Sequence, residues 1–130
     1  CERLASLKID HEWFYGGTKD KPGSRRRFLN DPACRVFVMN SEAGGTGNDG
    51  LQKVARYMVF YESPTPVITR KQTEKRVHRP GQKERVFIYD LALKRSVDGG
   101  ILALLAEGKD LYSSVVGASQ KSRKGWLLGD

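Results

Sequence analysis

Residues 35–39, Arg-Val-Phe-Val-Met, form a nearly continuous apolar run of the length of one β-strand. A strand that is apolar on both faces is typical of a buried parallel sheet. The same pattern recurs in residues 57–61 (YMVFY) and 85–91 (RVFIYDL), and residues 11–15 (HEWFY) form a shorter candidate. These runs predict four strands, three of them buried.

Helices are predicted between and after these strands. Residues 1–9 have the spacing of a short helix end, and residues 19–30 read as a basic loop that leads into a short helix. Residues 67–79 form a polar, basic helix ended by a Pro-Gly pair, and apolar residues from Val97 onward follow helical spacing. Alternating strands and helices indicate an α/β fold with a mostly parallel central sheet, whose ligand loops are expected at the carboxyl ends of the strands.

Composition narrows the class of protein. The chain has 130 residues, the size of one ordinary domain. Its 23 Lys and Arg against 15 Asp and Glu give a net charge of +8, which favours a polyanionic partner. The apolar runs are too short to span a membrane, so no membrane partner is expected. Cys1 and Cys34 form neither a disulfide framework nor a paired metal motif, which favours an intracellular protein with Cys34 as a buried free thiol. Because the chain opens with Cys1 and helix-like sequence, it is expected to be cut from within a longer protein.

Residues 41–50 (SEAGGTGNDG) form a glycine-rich loop after the strand at residues 35–39. Backbone N–H groups without bulky side chains can approach phosphate oxygens closely, although a flexible connection is the plainer interpretation. Residues 45–50 also match G-x-G-x-x-G, the pattern of dinucleotide-binding enzymes. That motif must open a crossover helix, and the next strand begins near Ala55, too soon for one. We therefore reject a dinucleotide site.

The predicted helix over residues 67–79 places Gln72, Arg76 and Arg79 four and three positions apart. At about 100° per residue, this spacing puts all three on one helix face. The planar fork of arginine donors matches phosphate, so the face is a candidate anion site. A solvated face in which Glu74 pairs with nearby bases is the alternative.

A turn, Gly16-Gly17-Thr18, directly follows the first predicted strand, and five Lys and Arg residues lie between residues 19 and 27. Backbone donors beside a basic run are suited to holding a nucleic-acid backbone. A plain turn with a charged flank explains the segment equally well.

Taken together, residues 4–117 resemble the second RecA-like lobe of superfamily 2 helicases, most closely that of the Swi/Snf-like ATPases. The resemblance rests on the order of the elements and on residues 76–82 (RVHRPGQ), which are similar to the family's arginine-finger motif, D-R-x-H-R-x-G-Q. It implies a RecA-like three-layer α/β fold over residues 1–117, without the lobe's usual first strand. A basic tail over residues 118–130 would follow.

The resemblance also implies the second motor lobe of an ATP-dependent DNA helicase or translocase. Arg79 would then be the catalytic finger that faces the γ-phosphate, with Arg76 as a second catalytic arginine. Gln72, Gly47 and Asp49 would bind the nucleotide, Asp49 near its ribose. ATP and Mg²⁺ would be held mostly by the absent first lobe, so no metal site is expected in this chain, and the isolated chain should be inactive.

The same resemblance implies a grip on nucleic acid, most simply double-stranded DNA. The residues that contact its backbone would lie in the two glycine-containing loops: Gly16, Gly17, Thr18, Ser41, Gly44, Gly45 and Thr46. From the residues alone a second class stays open, a non-catalytic nucleic-acid-binding or regulatory module on a RecA-like scaffold. The net charge of +8 supports that class as well.

Overall fold

The computed structural model describes residues 1–41 and 49–109. Within them the α-helices are α1 (Glu2–Ser6), α2 (Lys21–Asn30), α3 (Val67–Glu74) and α4 (Asp98–Glu107). The strands are β1 (His11–Phe14), β2 (Val36–Met39), β3 (Tyr57–Phe60) and β4 (Phe87–Asp90). A 3₁₀ turn covers Leu51–Lys53. The four predicted strands are confirmed. The prediction that three of them are buried is wrong, because Val38 in β2, Val59 in β3 and Tyr89 in β4 are exposed and each strand therefore has one face that is not covered within the described residues.

The chain divides into two compact units, each built on one pair of strands. Of the described residues, the first unit comprises those within Cys1–Arg56 and Lys75–Arg85, and the second comprises those within Tyr57–Glu74 and Val86–Asp130. β1 pairs with β2 and β3 pairs with β4, both in parallel, with His11 opposite Val36 and Tyr57 opposite Phe87. A helix connects the two strands of each pair, as parallel pairing requires. The predicted parallel α/β arrangement is therefore confirmed, with the described strands in two two-stranded sheets.

In the first unit, α2 begins at Lys21, earlier than the sequence analysis predicted. Asp20 caps this helix, because its Oδ1 accepts a hydrogen bond of 2.9 Å from the Gly23 N–H. Pro22 occupies the first turn, where its missing N–H costs nothing. The predicted division of residues 19–30 into a loop and a short helix is therefore wrong. The Asp20 cap and Pro22 start the helix at Lys21, so most of the predicted loop is helical.

Arg27 fixes α2 to the start of β1. Its guanidinium donates to Asp10 at 2.5 Å and to Glu12 at 2.7 Å, and it lies 3.6 Å from Asp31. The hydrogen bond from Arg27 holds the pKa of Asp10 below its usual range. This member of the basic run is thus paired within the fold, and its charge is not free for a nucleic-acid backbone.

Aromatic rings fill the core against one face of the β1–β2 pair. Phe37 stacks on Phe28 of α2 with 5.0 Å between ring centroids, and it meets Phe14 at 5.9 Å. Phe14 and Cys34 are both buried. Burial raises the pKa of the Cys34 thiol, and the predicted buried free thiol is confirmed.

In the second unit, Arg70 holds α3 at the end of the β3–β4 pair. Its guanidinium lies 3.7 Å from the centroid of the buried Phe60 ring. It donates to both carboxylate oxygens of Asp90 and, at 2.5 Å, to Glu74. Ser63 donates to the same Asp90 at 2.8 Å. The hydrogen bond from Arg70 keeps the pKa of Asp90 below its usual value, with Ser63 assisting.

The last described helix, α4, ends at Gly108, which the sequence marks as a weak point. Gly108 has a φ of +71°, in the left-handed region that favours glycine at helix ends. The predicted continuation through Leu111 and Tyr112 lies outside the described residues, as does the predicted tail at residues 118–130. None of the helices in the described part of the chain is long and apolar enough to cross a membrane.

Candidate functional site

We call residues 75–82, which belong to the first unit, the arginine loop. Helical spacing predicts one helix through residue 79, but α3 ends at Glu74 and the loop folds as successive turns and bends. The prediction that Gln72, Arg76 and Arg79 share one helix face is therefore wrong. What the two arginines share is the loop itself.

Gln82 holds the arginine loop in shape. Its Nε2 donates to the Ala55 carbonyl at 2.8 Å and to the Val77 carbonyl at 3.3 Å, and its Oε1 accepts from the Glu84 N–H at 3.0 Å. The Val77 side chain is buried, with 4% of its surface exposed. Burial of Val77 and the side-chain donor on its carbonyl stabilise the loop in place of another helical turn. This tertiary anchoring is the physical reason why α3 stops early.

Two glycines with positive φ accompany the arginine loop. Gly81 has a φ of +95° and Gly50 a φ of +101°, values that other residues rarely adopt. Gln52 lies close to both: the Gly50 N–H donates to its Oε1 at 3.1 Å, and a Cβ on Gly81 would lie 3.7 Å from its Nε2. Gln52 thus lies beside both the arginine loop and the turn that carries Asp49.

Arg79 pairs with the Asp49 of that turn. Its Nη1 lies 2.6 Å from Asp49 Oδ1, with 41% of the Arg79 side chain and 82% of the Asp49 side chain exposed. An ion pair this exposed contributes about 0.2–1 kcal/mol. The guanidinium can therefore exchange the carboxylate for a more highly charged anion at little cost.

Arg76 supplies a second guanidinium from the same loop. Its Nε is buried and has no hydrogen-bond partner among the described residues. Burial lowers the pKa of Arg76, and the charge of Asp49 opposes that shift. A half-buried cation with an unpaired hydrogen-bond donor is energetically unfavourable, and an anion that accepts a hydrogen bond from this donor would remove the cost. Two guanidiniums near one carboxylate form a donor set that fits a polyphosphate.

The shape of this loop is expected to depend on the Gln82 side chain. Replacing Gln82 with alanine removes the donor from two partly buried carbonyls, and should lower the free energy of unfolding by about 1–2 kcal/mol. Urea denaturation followed by circular dichroism measures the change. Lys83→Ala, an exposed neighbour in the chain, is the control and should leave stability unchanged. Equal stability of the two variants would contradict the role assigned to Gln82.

The second candidate region is the turn after β1. The Thr18 N–H donates to the Tyr15 carbonyl at 3.1 Å, and the Tyr15 N–H donates to Thr18 Oγ1 at 3.1 Å. A Cβ on Gly17 would lie 2.7 Å from the Tyr15 ring, so only glycine permits the ring to lie there. Around Gly16 nothing lies within 4 Å of a built Cβ. The turn presents exposed backbone at the carboxyl end of β1, as expected.

The structure brings together Arg76, Arg79 and Asp49 of the predicted site residues. Gln72 is exposed on α3 and belongs to the second unit. Ser41 is the last residue of the first described range, and Gly44, Gly45, Thr46 and Gly47 lie outside the described residues. Across residues 1–41 and 49–109, no group of three His, Cys, Asp or Glu side chains could hold a metal ion.

Sequence reasoning missed the residues that support this site. Gln82 lies within the motif at residues 76–82, and its place after a Pro-Gly pair was the available signal. Gln52 carries no local signal. The pairing of Arg79 with Asp49 joins residues 30 positions apart, beyond the reach of any local pattern.

Comparison with known proteins shows the family to which the chain belongs. No protein-family model matches the chain. The uncharacterized ATP-dependent helicase YqhH of Bacillus subtilis is 38% identical over 104 residues, 80% of this chain. The DNA repair and recombination protein RAD54-like of Drosophila virilis is 33% identical over 104 residues, 78% of this chain. The chain spans only 18% and 13% of the length of these two relatives.

A solved structure shares the fold. The C-terminal part of the Fun30 ATPase domain matches with a TM-score of 0.73, covering 96% of this chain and 41% of that one, at 24% sequence identity. At this identity the likeness concerns the fold alone, and it confirms the predicted RecA-like α/β architecture. With its helicase relatives and the motif at residues 76–82, the chain belongs to the Swi/Snf-like helicases, in the region of their second RecA-like lobe.

Proposed function

We propose that this chain works as the second motor lobe of an ATP-dependent DNA helicase or translocase. The observation that carries the proposal is the pair of guanidiniums in the arginine loop, one on an exposed, exchangeable ion pair and one with an unused buried donor. The relatives include an ATP-dependent helicase and a DNA repair and recombination protein, which supports the same class.

In this proposal Arg79 is the catalytic finger at the γ-phosphate of ATP held by a first lobe. When the lobes close, its guanidinium leaves Asp49 and places two N–H donors on phosphate oxygens where negative charge develops. Arg76 adds a second positive charge, and its Nε is a donor still to be used. Mg²⁺, held with ATP by the first lobe, would neutralise further phosphate charge. Gln72 and Gly47 are proposed as additional nucleotide contacts.

The grip on nucleic acid is proposed for the two glycine-containing loops. The exposed backbone of the turn after β1 is suited to phosphate oxygens, which need donors rather than a base-specific side chain. The residues assigned to this grip are Gly16, Gly17, Thr18, Ser41, Gly44, Gly45 and Thr46. We propose double-stranded DNA as the nucleic acid, an intracellular site of action, and a lobe over residues 1–117 with a basic tail at 118–130.

ATP hydrolysis by a two-lobe protein that contains this chain tests the proposal. We expect turnover that duplex DNA stimulates, measured by phosphate release with and without DNA at one salt concentration. The 130-residue chain alone should hydrolyse no ATP, because in this proposal the other lobe binds most of the nucleotide. A two-lobe protein without ATPase activity would contradict the proposal.

A second candidate function is a non-catalytic nucleic-acid-binding module. The observation that favours it is the net charge of +8, which suits a polyanion whether or not ATP is hydrolysed. Salt-dependent DNA binding by a two-lobe protein that has no ATPase activity would select this function. DNA-stimulated turnover would exclude it.

A further inference from the structure

We propose that Asp49 is a positioning residue that holds Arg79 in a parked position until a phosphate group takes the place of its carboxylate. This inference rests on the proposed function, because it assumes that Arg79 meets a nucleotide. It assigns to Asp49 a role opposed to nucleotide contact. In this role the Asp49 side chain competes with the triphosphate for the same guanidinium.

The geometry supports a pair that is well formed and easily exchanged. Arg79 Nη1 and Asp49 Oδ1 are 2.6 Å apart, a distance typical of a charge-assisted hydrogen bond. Both side chains are exposed, Asp49 by 82%, so water replaces either partner at small cost. A carboxylate and a phosphate present similar oxygens to a guanidinium, and the phosphate carries the larger charge.

The backbone on both sides of the pair is anchored, whereas the two paired side chains are exposed to solvent. Asp49 precedes Gly50, whose N–H is bound by Gln52, and the buried Leu51 follows. On the other side, the Arg79 carbonyl accepts a hydrogen bond of 3.1 Å from the Gln82 N–H. Anchored backbones hold the two side chains within reach of each other, so Arg79 is oriented before any ligand arrives. Exchange of the anion then needs side-chain rotation only.

Asp49 also acts on Arg76. Its charge favours the protonated guanidinium of Arg76 against the effect of burial. One carboxylate therefore compensates two cations when no phosphate is present. Among the described residues, Asp49 therefore acts as an anion for both arginines, and its removal should leave both guanidiniums more attractive to an external polyanion.

Binding of inorganic tripolyphosphate to this chain tests the parked state without any catalysis. We expect Asp49→Asn to raise the affinity two- to fivefold by isothermal titration calorimetry, and Asp49→Glu to keep it near that of the unchanged chain. Neutralising any carboxylate raises affinity for a polyanion to some degree. Glu84→Gln is the matched control, since Glu84 is an exposed partner of Arg56 in the same unit.

The decisive comparison repeats both substitutions in an Arg79→Ala background. The inference expects the gain from Asp49→Asn to disappear there, while any gain from Glu84→Gln persists. A gain from Asp49→Asn that survives without Arg79, or one no larger than that of Glu84→Gln, would overturn the parked state.

Steady-state kinetics of the two-lobe protein distinguishes an Asp49 that competes with ATP for Arg79 from an Asp49 that contacts the nucleotide. A parked finger predicts that Asp49→Asn lowers KM for ATP two- to fivefold, whereas a contact between Asp49 and the ribose predicts a higher KM. A higher or unchanged KM would overturn the inference. The proposed function fails in a different experiment, if Arg79→Ala leaves turnover intact, so the two failures are distinguishable.

Discussion

Arg79→Ala in a two-lobe protein that contains this chain is expected to reduce ATP turnover by about 10³- to 10⁵-fold. The loss follows from removing donors aimed at the charge that develops on the transferred phosphoryl group. Duplex-DNA affinity should stay unchanged, because Arg79 lies in the arginine loop and the residues assigned to nucleic acid lie elsewhere. Phosphate release and fluorescence anisotropy measure the two quantities separately.

The variant has a matched control in the same loop. Lys75 is exposed and carries the same charge, so Lys75→Ala tests loss of charge without loss of the proposed finger. We expect near-normal turnover for Lys75→Ala and a large loss for Arg79→Lys, which keeps the charge but not the planar fork. Near-normal turnover of Arg79→Ala would exclude Arg79 as the finger.

The second large effect is expected on stability, from Arg70→Ala. The Arg70 side chain is only 11% exposed, and it pairs with Asp90, which is 25% exposed, and with Glu74. Removing it leaves two partly buried carboxylates without their cation and uncovers the Phe60 ring. The free energy of unfolding should fall by about 3 kcal/mol. Urea denaturation of the 130-residue chain measures it.

The loss should depend on pH in a definite direction. The hydrogen bond from Arg70 lowers the pKa of Asp90 in the folded chain, while the unfolded carboxyl titrates near about 3.9. Because the pKa of Asp90 is lower in the folded chain, the ionised carboxylate stabilises the fold at pH values above the pKa of the unfolded chain. This stabilisation is lost as the pH falls through the pKa of the folded chain. The difference between the unchanged chain and Arg70→Ala should therefore be full at neutral pH and shrink in strong acid.

Two further variants serve as controls for the predicted effect of Arg70→Ala on stability. Lys71→Ala removes an exposed neighbour on α3 and should change stability little. Replacing both partners, Arg70→Met with Asp90→Leu, should recover part of the loss because fewer unpaired partly buried charges remain. A double variant that is less stable than Arg70→Ala would contradict the ion-pair explanation.

The arginines at the site were accessible to sequence reasoning, but their arrangement was not. Residues 76–82 contain both guanidiniums and the glutamine that shapes the loop. Helical spacing nevertheless predicted the wrong geometry, since α3 ends at Glu74. A local sequence pattern predicts the conformation that a segment adopts in the absence of tertiary contacts. Here the buried Val77 and the bonds of Gln82 to Ala55 and Val77 outweigh one more helical turn.

The basic residues after β1 also show that a local sequence pattern does not reveal tertiary contacts. Its sequence suggested a row of charges available to nucleic acid, yet Arg27 pairs with Asp10, Glu12 and Asp31. The acidic partners at residues 10 and 12 precede it by more than a dozen positions, with a turn and most of α2 between them. The net charge treats every basic residue as available to an external polyanion, whereas folding pairs some of them with acidic residues of the same chain.

The amino-acid sequence by itself determined the four strands, the parallel α/β class and the family, because strand-length apolar runs and a seven-residue motif are local properties of the chain. The end of α3 and the pairing of Arg79 with Asp49 were decided only by the tertiary structure. The physical reason is distance along the chain. Buried anchors, and ion pairs between residues 30 positions apart, exist only once the backbone has brought both partners to one place.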